Sequence, residues 1–249
     1  MQRTIKIVLA YDGADFAGWQ IQTNRPTIQQ ALAAALERVI GEKVLPQGSG
    51  RTDAGVHALG QVASFSTRSP IPPRNLVIAL NDVLPPAIRV LSAEQAPAAF
   101  HARHSAKSKL YRYRIWRSEI CPPELARYVY HHPYPLKEEA IQRAAVTVIG
   151  EHDFTSFAAV DPEKGEVDTS NVRKIMLSKF ERQGQELIYE VEGNGFLHHM
   201  VRNLVGTFLL VGKGSLEADN IEHILAARDR SAAGHTAPAS GLWLVRVNY

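Results

Sequence analysis

The residues best suited to chemistry lie in one short segment, Gly50–Ala58, whose sequence is GRTDAGVHA. Its single carboxylate, Asp53, follows Arg51 by two positions and precedes Gly55 by two. Glycine gives the backbone φ values that other residues rarely adopt, so such a loop can approach a ligand closely. A carboxylate held there can act on a bound substrate as a nucleophile or as a general base. The alternative is an ordinary turn, because aspartate and glycine are common turn residues.

The basic side chains are concentrated in residues 103–117, although the formal net charge of the chain is only +3. Aromatic side chains alternate with them there, at Tyr111, Tyr113 and Trp116. A basic strip of this kind favours contacts with RNA phosphates and stacking on bases. The alternative is an edge strand whose cations prevent aggregation. The basic residues of the strip are Arg103, His104, Lys107, Lys109, Arg112, Arg114 and Arg117.

The composition is that of a globular protein. The 249 residues are 45% hydrophobic and 21% charged, which is ordinary for a soluble chain and allows one large or two small domains. The apolar runs are shorter than a membrane span, and residues 1–10 are typical of a strand rather than a signal peptide. The single cysteine, Cys121, allows no intrachain disulfide and no cysteine-rich zinc site. We therefore expect a cytoplasmic protein that does not contact a membrane.

Hydrophobic periodicity predicts two successive α+β halves, residues 1–104 and 105–249. In the first half the pattern predicts strands over 4–11, 61–66 and 88–93 and helices over 27–40 and 74–84. In the second half it predicts strands over 109–116, 172–182, 187–192 and 242–247 and helices over 137–149, 198–211 and 221–227. Each half can form a sheet with helices packed on it, which indicates a bilobed enzyme.

Seven further segments accompany the Asp53 segment. They are YDG at 11–13, FAGWQIQ at 16–22, FHAR at 100–103, YRY at 111–113, GEHDF at 150–154, GFLHHMVRN at 195–203 and APASGL at 237–242. With these segments, in this order, the sequence resembles the tRNA pseudouridine synthase A family over nearly its whole length.

The resemblance implies an isomerase that converts uridine to pseudouridine at positions 38 to 40 in the anticodon stem–loop of tRNA. It implies no cofactor and no metal, and the sequence has neither a phosphate-binding P-loop nor a dinucleotide fingerprint. It also implies a homodimer in which one tRNA touches both subunits. The implied fold has two RNA-recognition-like halves with joined, mainly antiparallel sheets, helices packed on them, and an active cleft between the halves.

The resemblance assigns the catalytic role to Asp53, the carboxylate of the GRTDAGVHA segment. Arg51 would favour the ionised form of Asp53 if the loop turns the two together, and it is also a candidate to fill the gap left by a flipped base. Tyr111 matches the family's active-site tyrosine, which can stack on the flipped uracil. Without the resemblance, Tyr111 would be interpreted as a half-buried aromatic residue of a strand.

Arg202 matches the arginine of the family's C-terminal helix and is expected to bind substrate or to pair with Asp53. The helical period places His198, Arg202 and Gly206 on one face, where the glycine would permit close approach. The alternative is a solvated helix residue.

Two other classes of protein are weaker interpretations. A non-catalytic RNA-binding module would need exposed sheet aromatics and basic residues but no protected acid, so the Asp53 loop argues against it. A metal-dependent nuclease would need clustered carboxylates, which we do not find in the sequence. The histidine pairs at 101/104 and 198/199 lack the spacing of a zinc-binding helix, so we expect no metal.

Overall fold

The computed structural model describes residues 2–160 and 170–249. The strands in chain order are β1 (Arg3–Tyr11), β2 (Gln47–Gly48), β3 (His57–Thr67), β4 (Ile88–Ala96), β5 (Ser108–Trp116), β6 (Tyr130–His131), β7 (Gly150–Asp153), β8 (Val172–Gln183), β9 (Glu186–Gly193) and β10 (Leu242–Asn248). The α-helices are α1 (Ile28–Ile40), α2 (Pro73–Val83), α3 (Glu138–Thr147), α4 (Met200–Gly212) and α5 (Asn220–Ala227). Short 3-10 turns lie at Thr155–Phe157, Arg230–Ala232 and Ala239–Gly241.

The chain divides into two compact units, and this confirms the predicted α+β class with two halves. The first unit contains the residues up to Lys107 together with Trp243–Tyr249, and the second is Ser108–Leu242. The predicted division was 1–104 and 105–249, so the two differ mainly in the last strand. That strand pairs in parallel with β3, Trp243 opposite His57, and long-range pairing of this kind has no local signal in the sequence.

The first unit has strands in the order β4-β1-β3-β10, with β2 added on β3. Strand β1 is antiparallel to both neighbours and buries alternate residues, Ile5, Ile7 and Leu9. Helix α1 begins as predicted, because the Thr27 side chain accepts a hydrogen bond from the backbone N–H of Gln30. The helices bury their apolar faces and leave the loop between β2 and β3 at the end of the sheet.

The second unit has strands in the order β5-β9-β8-β7, with β6 parallel to the end of β5. The predicted hairpin is confirmed as β8 and β9, and Gly184 adopts φ 57° in its turn. The core of this unit is aromatic. Phe208 of α4 contacts Phe180 and Tyr189 edge-on, with ring centroids 5.9 and 5.5 Å apart.

One local prediction is wrong in detail. The helix expected over 198–211 begins at Met200, because His199 takes the left-handed conformation with φ 59°. Strand β3 alternates polar and apolar residues in sequence, yet Ala63, Ser64 and Phe65 are all buried. The buried Gln61 and Ser64 of β3 therefore serve internal hydrogen bonds, whereas Ser66 is exposed.

Within residues 2–160 and 170–249, no helix is long and apolar enough to cross a membrane.

We expect Phe208→Ala to destabilise the protein by about 3–5 kcal/mol, because it removes a fully buried ring and leaves a cavity. Val146→Ala, at a half-exposed position of α3, is the control and should change stability by less than about 0.5 kcal/mol. Urea unfolding followed by circular dichroism measures both. Equal effects of the two substitutions would contradict the assignment of Phe208 to the core.

Candidate active site

Asp53 lies in a tight turn between β2 and β3. Its backbone carbonyl accepts a hydrogen bond from the N–H of Val56 at 3.1 Å, and Gly55 in the turn adopts φ 77°. The Asp53 side chain is half-buried and that of Arg51 is exposed. The backbone at Asp53 therefore forms a turn, as the alternative interpretation predicts. The carboxylate remains at the surface of the loop.

A buried polar network supports the loop from beneath. The Thr52 hydroxyl lies 2.9 Å from the Tyr11 hydroxyl. The Gln61 amide donates to the carbonyl of Gly50 at 3.0 Å and to Tyr11 at 3.4 Å. The side-chain Oε1 of Gln61 accepts a hydrogen bond from the Ser49 hydroxyl at 2.6 Å. Burial raises the pKa of Tyr11 to about 12, with the hydrogen bonds from Thr52 and Gln61 opposing it, so the phenol stays neutral at physiological pH.

A second support is backbone packed directly on backbone. Gly18 adopts φ 94°, and a Cβ added to it would lie 2.5 Å from the Thr52 carbonyl oxygen. The N–H of Trp19 donates to that same oxygen at 3.0 Å. A Cβ on Gly13 would lie 1.9 Å from the Val56 carbonyl oxygen. Only glycine fits at these two positions, and the Trp19 ring is core at 1% exposure.

The buried His57 closes the loop on its C-terminal side. Its Nδ1 lies 3.2 Å from the Asp12 carboxylate and 3.2 Å from the Gly13 N–H. A ring nitrogen cannot donate and accept at once, so only one of these contacts is a hydrogen bond in a given tautomer. The ring stacks on Trp243, with centroids 4.4 Å apart. Sequence reasoning missed His57, although it lies inside the GRTDAGVHA segment.

Tyr111 lies on β5 in the second unit, opposite Val191 of β9. Its side chain is only 7% exposed. The ring meets Phe196 edge-on, with centroids 5.0 Å apart. Tyr111 is therefore a buried aromatic residue of a strand, as the alternative interpretation expects. Its role toward the substrate stays a prediction.

Arg202 lies on α4 in the second unit and is half-buried. Its Nε donates to the Ala237 carbonyl at 2.7 Å, and the Ala237 N–H donates to the Arg202 carbonyl at 3.1 Å. A Cβ on Gly206 would lie 1.7 Å from the His235 carbonyl oxygen. The solvated alternative is therefore wrong, and so is the shared helical face with His198, which precedes the helix. The pairing of Arg202 with Asp53 stays a prediction.

Comparison with known proteins identifies the family to which the chain belongs. The family described as tRNA pseudouridine synthase matches residues 7–105 and 144–249. The chain belongs to that family. The synthase is therefore an isomerase that acts on tRNA uridines. The matched ranges contain the Asp53 loop and Arg202, whereas Tyr111 lies between them.

Individual relatives agree with the family over almost the full chain. The tRNA pseudouridine synthase A of Solibacter usitatus is 51% identical over 99% of the synthase and 100% of that protein. That of Halalkalibacterium halodurans is 48% identical over 99% and 92%. A crystal structure of the archaeal box H/ACA sRNP Nop10-Cbf5 complex is similar at 13% identity and a TM-score of 0.36, covering 97% of the synthase and 48% of that chain. That score is too low to bear on function.

We expect Gly18→Ala to lower the turnover number by roughly 10²-fold, because the new Cβ displaces the backbone of the Asp53 loop. Gly41→Ala is the matched control, since Gly41 has φ 71° but no atom of the described residues within 4 Å of the new Cβ. Both substitutions should cost about 1–2 kcal/mol of stability through the positive φ. Equal turnover numbers in the two variants would contradict the loop-positioning role of Gly18.

Proposed function

We propose that the synthase converts uridines 38 to 40 in the anticodon stem–loop of tRNA to pseudouridine, with Asp53 as its catalytic carboxylate. One observation carries the proposal above all. Asp53 presents a half-buried carboxylate on a loop whose backbone is held by buried hydrogen bonds and by close glycine contacts. Such rigidity is what a reacting group needs, because small misplacements cost large factors in rate.

The reaction needs one carboxylate and no external electrons. The N1–C1′ glycosidic bond breaks, the uracil rotates, and C5 bonds to C1′. The proton on C5 then leaves and N1 gains one, so that product and substrate are isomers. Asp53 has two routes open to it. It can attack C1′ and be displaced when C5 attacks, or it can remove a sugar proton and return it later.

Three other residues are proposed to bind the substrate. The target uridine must leave the base stack to be reached, and the exposed Arg51 is suited to occupy the space it leaves. Tyr111 provides an aromatic ring on which the flipped uracil can stack during its rotation. Arg202 provides a guanidinium on α4. Its Nε donates to the Ala237 carbonyl, and Gly206 on the same helix lets the His235 backbone approach closely.

We propose further that the synthase is a homodimer, that one tRNA touches both subunits, and that it works in the cytoplasm with its tRNA. The resemblance to the tRNA pseudouridine synthase A family supports the homodimer and the shared tRNA. The cytoplasm is proposed because the substrate is tRNA. Recognition of tRNA shape rather than base sequence suits targets whose neighbouring bases vary.

The decisive substitution is Asp53→Asn, which is nearly isosteric and removes only the anionic oxygen. We expect it to abolish release of tritium from tRNA labelled at C5 of uridine while tRNA affinity stays within a few-fold. Asp82→Asn, an exposed aspartate of α2 in the same unit, makes the same charge change and should keep full activity. Single-turnover product from Asp53→Asn above trace level would rule out Asp53 as the essential carboxylate.

Substitutions of Tyr111 separate its ring from its hydroxyl. Tyr111→Phe should retain tRNA binding, so any loss of single-turnover rate reports on the hydroxyl. Tyr111→Ala should weaken the transition-state complex by about 1–3 kcal/mol, the usual worth of a base stacked on an aromatic ring. Tyr134→Ala, at a largely exposed tyrosine of the same unit, is the control. Wild-type rates for both Tyr111 variants with saturating tRNA would place Tyr111 outside the reaction.

A further inference from the structure

The basic strip of residues 103–117 is not one surface, because its cations fall into two groups with different partners. Arg103, His104 and Lys107 belong to the first unit and form what we call the basic loop. The cations from Lys109 onward belong to the second unit. The distinction matters because a cation contributes to phosphate binding only if no carboxylate already neutralises it.

The strand cations of the strip are already paired. Arg112 donates to the Glu190 carboxylate through Nε at 3.1 Å and through a terminal nitrogen at 2.8 Å. Arg114 reaches Glu186 through two such bonds, at 2.7 and 2.6 Å. Both glutamates come from the neighbouring strand β9. The Arg114 contact engages both oxygens of Glu186, which is the strong two-pronged form of ion pair, whereas both Arg112 bonds end on one oxygen of Glu190. A phosphate would have to compete with them.

The cations of the basic loop differ from the strand cations in their exposure to solvent. Arg103, His104 and Lys107 are all exposed. The backbone N–H groups of Arg103 and His104 point at the Nδ1 of His101, at 3.1 and 3.4 Å, and the N–H of Ser105 donates to the His101 carbonyl at 2.9 Å. The segment is thus a closed turn that displays two adjacent basic side chains outward.

The turn is anchored on the sheet of the first unit. The fully buried Ala102 donates its N–H to the Ser64 hydroxyl at 3.0 Å. Its carbonyl accepts from the Tyr249 hydroxyl at 2.7 Å. The Phe100 ring packs on the Tyr249 ring, with centroids 4.9 Å apart. A loop held in this way loses little conformational freedom when it binds a ligand.

The His101 ring lies beside the basic side chains of the turn, with its centroid 4.4 Å from that of the His104 ring. Burial of the ring, and after it the positive charges of His104 and Arg103, lower the pKa of His101. The nearby Lys6 is paired with Glu94 at 2.8 Å and lies over the Phe100 and Tyr249 rings. An anion bound on the exposed side of this turn would meet the Arg103 guanidinium.

We propose that the basic loop of Arg103, His104 and Lys107 binds phosphates of the tRNA backbone, and that Arg112 and Arg114 do not. This rests on the proposed function for the identity of the RNA. The loop contributes affinity and orientation, since phosphate contacts carry no base sequence. It has no part in breaking or forming the glycosidic bond.

The test is the salt dependence of tRNA binding, measured by fluorescence anisotropy with an unmodified tRNA transcript. Arg103→Gln/Lys107→Gln should weaken binding at low salt and lower the slope of log affinity against log salt by roughly 0.7 to 0.9 for each phosphate that the loop no longer binds. Arg112→Gln/Glu190→Gln and Arg114→Gln/Glu186→Gln are the controls. Each removes a cation together with its partner carboxylate and should leave the slope unchanged.

An unchanged slope for the loop variant would overturn the proposal. Equal falls in the loop variant and the strand variants would also overturn it, because the paired strand arginines would then bind phosphate as well. Release of tritium from C5-labelled tRNA by the wild type tests the proposed function separately. If the wild type released none at positions 38 to 40, the proposed function would fail while the slopes still decided the phosphate contacts.

Discussion

The buried hydrogen bonds among Tyr11, Thr52 and Gln61 are the constraint on which the Asp53 loop depends. Burying three polar side chains is costly unless each finds its partners, and here each has one. The network ties the first strand of the unit to the strand that follows the loop, so the loop conformation is part of the core. The position of the carboxylate is thereby linked to the stability of the first unit.

The same design appears in the second unit, with different residues. The segment after α5 is bound to α4 by backbone approach at Gly206 and Gly234 and by the fully buried Asn203, whose side-chain Oδ1 accepts a hydrogen bond from the Thr236 hydroxyl at 2.7 Å. Arg202 takes part through its bond to Ala237. In both units, therefore, an irregular segment that carries or contacts a proposed site residue is held by glycine contacts and satisfied polar groups.

Most of the regular structure could be predicted from the sequence, because local patterns determine it. The apolar face of α1 and the turn at Gly184 are examples. The hydrogen bonds that support the Asp53 loop could not be predicted from the sequence, because the bond between Gln61 and Tyr11 joins residues fifty positions apart. The pairing of Arg112 and Arg114 was missed for the same reason. A cationic strand looks the same in sequence whether or not the next strand supplies glutamates.

The return of the last strand to the first unit has a consequence for synthesis on the ribosome. Strand β10 pairs with the start of β3, and Trp243 stacks on His57 directly beside the Asp53 loop. Trp243 and the residues of β10 that follow it are translated only after the whole second unit has left the peptidyl-transferase centre. A nascent chain therefore carries its reactive aspartate for most of its elongation time without the last of its neighbours. Translation of β10 is thus coupled to completion of the loop's surroundings.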